Sequence, residues 1–128
     1  MGCDIHVFIE SLTGFQDFGW ESFGGRIDVG RHATLFGLLA GVRGVEEAIV
    51  TPRGLPPDMS ETVRTGLAGN LHTHSWLRRR ELRTVINTLR GDVSQEQDVS
   101  PEWDAILAVI KVLDRAGRKV RIVFAFDS

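Results

Sequence analysis

The stretch "DIHVFIE", residues 4 to 10, alternates cleanly: Ile5, Val7 and Ile9 point one way, and Asp4, His6, Phe8 and Glu10 the other. A period of two predicts a strand with an apolar core face and a polar and aromatic second face. Gly14, Gly19, Gly24 and Gly25 punctuate the next stretch, where "FQDF" and "GWESF" read as short hairpin strands or a structured loop. In "RHATLFGLLAGVRG" the spacing turns helical, with Leu35, Phe36, Leu38, Leu39 and Val42 apolar and Gly44 as the expected stop. "TPRGLPPDMSETV" is a rigid connector, and Asp58 or Ser60 is placed to cap a short helix ending near Gly69. Beyond an extended "NLHTHSWL", the run "LRRRELRTVINTLRG" predicts a helix burying Leu82, Val85, Ile86 and Leu89. "DVSQEQD" reads as a polar loop. In "SPEWDAILAVIKVLDRAGRK", Ser100 caps, Pro101 suits the first helical position, and Gly117 terminates. Its apolar stripe is Trp103, Ile106, Leu107, Ile110 and Leu113. The chain finishes on an alternating strand, "KVRIVFAFDS", with Val120, Ile122, Phe124 and Phe126 on one face.

No repeat or low-complexity linker divides these elements, so residues 1–128 read as one α+β domain. About four helices should pack on a small, mostly antiparallel or mixed sheet. The two terminal strands are the most regular, and they are expected in that sheet as neighbours. Strands and helices do not alternate strictly, which argues against a doubly wound parallel fold.

Composition narrows the function classes. A formal charge of -2 gives no general polyanion-binding signature and argues against coating bulk nucleic acid. One cysteine, Cys3, cannot form an internal disulfide, which points to the reducing cytoplasm. No apolar run nears the roughly 20 residues of a membrane span, and no secretory leader is visible. Met1-Gly2-Cys3 hints at lipidation, but His6 stands where a myristoylation site wants Ser or Thr. Thirteen arginines against two lysines supply many potential anion-binding forks.

Two histidine pairs carry the candidate chemistry. His72 and His74 on an extended segment should project to one side, their Cα atoms roughly 6.5–7 Å apart. Asp4 and His6 repeat that spacing on the first strand. Together the four groups suit one divalent metal, zinc or manganese, with a position left for water. They equally suit metal-free work, with one histidine as base, another as acid and the carboxylate orienting a ring. The bland alternative is a set of surface or hydrogen-bonded structural histidines.

Arg53, in a stiff turn, is placed for bidentate capture of a phosphate or carboxylate, or else braces its own turn. Arg31 is a second such candidate. Arg78, Arg79 and Arg80 read as a solvated helix face; their charge opposes the helix dipole, so a partner or ligand is the other option. Trp76 reads as a core anchor beside the histidines, with stacking on a base as the other option. Asp127 is either a frayed end or a carboxylate donated beside Asp4. Cys3 should face away from Asp4. Nothing matches a phosphate-cradling glycine loop, a zinc-finger spacing or a dinucleotide fingerprint.

The blocks "MGCDIH", "GRHATLFGLLAGVRG", "PRGLPPDMS", "HTHSWL" and "VRIVFAFDS" together span nearly the whole chain. In their order and content the chain resembles a family of small proteins, mostly without assigned function, from bacteriophages (especially of actinobacteria) and some bacterial genomes. Members start M-G-C-D-I-H, carry an R-N-Y-x-L-F-like helix start, a P-R-G-L-P turn and an H-S-H-S-[WY]-L stretch, and often close on F-D-N. The resemblance implies shared polar positions at Asp4, His6, Arg31, Arg53, His72, His74, Ser75 and Asp127. His32-Ala33 replaces the usual Asn-Tyr, Thr73 replaces Ser, and Asn70 stands where Asp or Gly is common. A phage origin suggests, by association, nucleotide metabolism or the blunting of nucleotide-based host defence.

The leading expectation is therefore a small hydrolase, a phosphodiesterase acting on a nucleotide. His72, His74, His6 and Asp4 would be catalytic or metal-binding; Arg53, Arg31, Ser75 and Trp76 would hold the substrate. A non-catalytic binder sequestering a nucleotide in the same pocket is the alternative, and a protein–protein inhibitor or accessory is the third. A homo-oligomer is compatible with all three.

Overall fold

The computed structural model describes residues 3–13, 19–44, 46–91 and 99–128. They form four α-helices and a four-stranded antiparallel sheet in one α+β domain. The strands are β1 (Asp4–Leu12), β2 (Trp20–Ser22), β3 (His72–Arg78) and β4 (Lys119–Asp127). Their order is β2-β1-β4-β3, so the two terminal strands are the central neighbours. β1 and β4 pair along their full lengths, from Asp4 opposite Asp127 to Leu12 opposite Lys119. "GWESF" supplies β2; "FQDF" and the polar loop "DVSQEQD" lie outside the described residues.

The helices are α1 (Ala33–Ala40), α2 (Glu61–Gly66), α3 (Arg79–Arg90) and α4 (Pro101–Arg115). α1 begins where the ring of His32, through Nδ1, accepts the Leu35 backbone N–H at 3.1 Å. It ends earlier than the sequence predicts, because Gly41 takes the left-handed conformation (φ 73°), and a 3₁₀ turn then covers Val42–Gly44. Ser60 caps α2, accepting from the Val63 N–H at 3.3 Å. Ser100 sits at the α4 N-cap, but its hydroxyl donates to the Val29 carbonyl at 2.8 Å and tethers the helix to the preceding loop.

The main core lies on one sheet face. Ile5, Val7, Ile9, Leu77, Ile122, Phe124 and Phe126 meet the apolar stripes of α1, α3 and α4 there. Four of the five residues expected in the α4 stripe are buried, and Leu107 is partly so. The second face departs from the simple in–out pattern. A smaller cluster of Phe8, Val63, Leu67, Val123 and Ala125 lies on it, roofed by α2 and the proline-rich connector. That roof buries two charges, Glu10 (0% exposed) and Arg121 (4%). Arg121 donates from Nε to Glu10 Oε1 at 2.8 Å and from Nη1 to Asp58 Oδ1 at 3.1 Å. Its Nη2 lies 2.7 Å from Glu10 Oε1 but off the hydrogen-bonding direction, so that contact is ionic only. The other Glu10 oxygen accepts the Ser60 N–H at 2.6 Å. One buried carboxylate thus ties the sheet to the start of α2.

Candidate functional site

The histidine segments come to the same end of the sheet, but not as the spacing predicts. Between His72 and Ser75 the register slips, and Thr73 has φ 55°. An extra residue with a positive φ is the geometry of a β-bulge, and it breaks the period of two that would project both imidazoles together. His72 stands opposite Phe126, its ring 6.2 Å from that core-facing ring. Both its nitrogens have hydroxyl partners: Nδ1 lies 2.8 Å from Thr73 Oγ1 and Nε2 2.9 Å from Ser128 Oγ. His74 falls in the bulge beside Ala125, and its ring has no hydrogen-bond partner among the described residues.

On β1, His6 lies opposite Ala125, so His6, Ala125 and His74 occupy neighbouring rows with β4 between the histidines. One intervening strand separates them by roughly 10 Å at ordinary strand spacing. His6 Nε2 is 3.8 Å from Asp127 Oδ2, beyond hydrogen-bond reach. Asp4 lies opposite Asp127 but is engaged elsewhere: Arg31 donates to its two oxygens at 2.7 and 3.2 Å. That hydrogen-bonded guanidinium holds the Asp4 carboxyl below the usual range. Cys3 is buried in the main core. Among the described residues, no group of three or more His, Cys, Asp or Glu side chains is disposed to hold a metal ion.

The two loop arginines expected to bind anions each have a carboxylate partner in this structure. Arg53 makes a two-pronged ion pair with Glu81, one prong at 2.8 Å, and also donates to the Trp76 carbonyl at 3.1 Å. Its guanidinium sits 4.4 Å from the centroid of the Trp76 ring. The Arg53 amide donates to Ser75 Oγ at 3.0 Å, and Ser75 is fully buried. Arg53 and Ser75 therefore dock the connector onto β3, and Arg31 is committed to Asp4. The carboxylates pre-empt the forks.

The opposite end of the sheet holds a cationic hollow that the local sequence pattern does not reveal. A cavity of ≈ 410 Å³ is bordered by Arg78, Arg79, Arg80, Arg83, Arg118 and Lys119, with Trp20 on its wall. The start of α3 supplies four of these cations, and the turn into β4 supplies two. Arg79 is neutralised by Asp114 at 2.7 Å. Arg80, Arg83, Arg118 and Lys119 have no carboxylate partner among the described residues, while Arg78 lies within electrostatic reach of Glu81. A second cavity of ≈ 460 Å³ adjoins it, sharing Trp20, Arg78 and Lys119 and walled by Trp76, Leu55 and the prolines of the connector.

The tryptophans are held in place. Trp20 Nε1 donates to Asp58 Oδ2 at 3.0 Å, and Arg121 covers one face of the ring, 3.7 Å from its centroid. Trp76 is ringed by Arg53, Arg78 and Arg121. It is thus a partly buried wall, packed against the smaller cluster two residues beyond His74. Unpaired cations next to fixed indoles can take a ligand with anionic and flat aromatic parts. The signal in the sequence is "LRRRELR" together with "RK" before the last strand. Only the fold brings them together.

The described residues contain no helix long and apolar enough to cross a membrane. Compared with family models, curated proteins and solved structures, the chain matches none.

Proposed function

We propose that the protein binds a phosphate-bearing nucleotide in the cationic, tryptophan-walled hollow at the β3–α3 end of the sheet, and that it acts there by sequestration. One observation carries this reading: four cations without carboxylate partners among the described residues, with Arg78 beside them, converge on a cavity that also exposes tryptophan. Like charges held together repel one another, and a bound polyanion relieves that repulsion. The two carboxylates that border the paired cavities are already engaged, Asp114 by Arg79 and Asp58 by Arg121 and Trp20. Among the described residues no histidine borders either cavity, so the His/Asp set lies outside the hollow. Titration calorimetry with ATP at two salt concentrations tests the reading. Affinity should fall steeply with salt, Arg80→Ala with Arg83→Ala should weaken binding at least ten-fold, and the ATP should be recovered intact. Salt-independent binding, or no effect of the double substitution, would refute it.

Hydrolysis at the histidine end is the second reading, and it rests on the His6–Asp127 approach and the neighbouring His74 row. On this reading His6 and His74 share the acid–base work, with the Asp127 carboxylate 3.8 Å from the His6 ring. His6→Ala or His74→Ala should then reduce turnover of a nucleotide phosphodiester by roughly 10²–10⁴-fold. Equal turnover in wild type and variants would remove this reading.

A further inference from the structure

We infer that the hollow takes two nucleotide units joined through phosphate, an extended dinucleotide or the end of a short single strand, in preference to one nucleotide. This rests on the nucleotide-binding reading above and adds the ligand's length. The motive is that the hollow consists of two chambers. They measure ≈ 410 and ≈ 460 Å³, and both border Trp20, Arg78 and Lys119. Each falls within the range of roughly 300–1,000 Å³ usual for a small-molecule site.

The chambers differ in chemistry as two nucleotide subsites would. The second is the aromatic and apolar one, with Trp76, Leu55 and Pro56 against the stacked Arg53. It suits a base. The first is almost wholly cationic and has Arg80, Arg83 and Arg118 to itself. It suits a sugar-phosphate with a terminal phosphate.

Between them stand Lys119, which has no carboxylate partner among the described residues, and Arg78, which also feels the Glu81 carboxylate; the phosphate joining two units would lie there. Trp20 borders both chambers. Arg121 occupies one of its faces, and Arg121 is its sole ring partner among the described residues. Among the described residues no ring or cation stacks on the opposite face, where the second base would lie. A single nucleotide fills one chamber and leaves either the cations of the other or a tryptophan unused. A compact nucleoside triphosphate satisfies the cations but supplies only one base.

The test compares three probes by quenching of tryptophan fluorescence and by calorimetry: AMP, ATP and the 5′-phosphorylated dinucleotide pApA. The pApA should bind about ten-fold or more tighter than either mononucleotide, the lower end of what one further stacked base contributes. Replacing Arg83 and Arg118 together by Gln, both exposed, should collapse that preference toward unity without unfolding the domain, checked by circular dichroism. ATP binding as tightly as pApA would show that phosphate number alone is read and would overturn the two-unit inference while leaving nucleotide binding intact. AMP equal to pApA would overturn it in the same way. Absence of binding by all three would instead defeat the underlying reading. If a six-nucleotide single strand binds another hundred-fold tighter than pApA, the site continues beyond these chambers and the dinucleotide limit fails.

Discussion

The guanidinium carbon of Arg121 sits 3.7 Å from the centroid of the Trp20 ring. The same side chain reaches Glu10 on the neighbouring strand and Asp58 in the connector. Three segments far apart in sequence are therefore registered by one buried cation, and the tryptophan it fixes is the wall shared by both chambers. The second sheet face is organised around charge as well as apolar contact.

This makes Glu10 a sensitive position. Glu10→Gln keeps the shape but leaves Arg121, whose side chain is 5% exposed, without its buried counter-charge. Removing one partner of a buried pair typically costs about 3–5 kcal/mol, a large share of a small domain's stability of about 5–15 kcal/mol. Urea denaturation should show that loss. Glu10→Gln combined with Arg121→Met should recover part of it, because no unpaired charge is then left inside. A double variant as unstable as the sum of the singles would mean the pair is not coupled.

Thr73 offers the reverse experiment. A β-branched residue at φ 55° is strained, since the left-handed region suits glycine or asparagine. Thr73→Gly relieves that strain and loses the hydroxyl beside His72 Nδ1. The net expectation is a gain of about 0.5–1 kcal/mol, because the lost bond is partly solvated and the strain is of order 1–3 kcal/mol. A fall in thermal midpoint would show that the hydroxyl contact outweighs the backbone term.

The same bulge shows where local pattern stops being informative. The stripes Ile5-Val7-Ile9 and Ile122-Phe124-Phe126 are legible because strand period and burial coincide on the core face. Glu10 and Arg121 also alternate, yet they are buried, because the roof over them comes from Asp58 and Ser60. No window along β1 contains that information. His72 and His74 make a chelating pair only on a regular strand. Arg53 reads equally well as an anion fork or a brace, and its partner Glu81 lies on another element, beyond any local window. The cationic hollow is the least visible feature, since Arg78–Arg83 and Arg118-Lys119 become neighbours only when α3 follows β3 and β4 pairs beside it.

The Arg53–Glu81 pair carries a pH signature. The hydrogen-bonded guanidinium holds the Glu81 carboxyl below its usual range, and the Arg78 backbone N–H, donating at 3.0 Å, adds to the effect. A carboxyl depressed in the folded state binds its proton more readily when unfolded. Its contribution is thus present above the ordinary carboxylate pKa and is lost as pH falls through the depressed value. Glu81→Gln should accordingly lower the thermal midpoint near neutral pH and flatten its decline in acid. Both side chains are about a quarter exposed, so the effect should be modest. Parallel acid limbs for variant and wild type would assign the acid sensitivity to other carboxylates.

The last prediction links the roof to the hollow. Gly66 ends α2 directly against the sheet: a methyl added there would lie 2.3 Å from Cζ of Phe8 and 3.0 Å from both Cε atoms. Phe8 is buried at 3% exposure, beneath the same roof as Val63 and Leu67, so its ring has little room to retreat. Gly66→Ala must therefore lift α2. Overpacking of this kind typically costs about 1–3 kcal/mol. The lift also pulls on Ser60, whose N–H is held by Glu10, and on Asp58, which orients Trp20. Stability and ligand affinity should fall together in Gly66→Ala, with weaker tryptophan quenching by ATP even where the domain remains folded. Gly25→Ala is the control, for a methyl there meets open space and the backbone is not left-handed, so neither quantity should change much. If Gly66→Ala loses stability but keeps full ATP affinity, the position of α2 does not govern Trp20, and the hollow owes its shape to β2 and β3 alone.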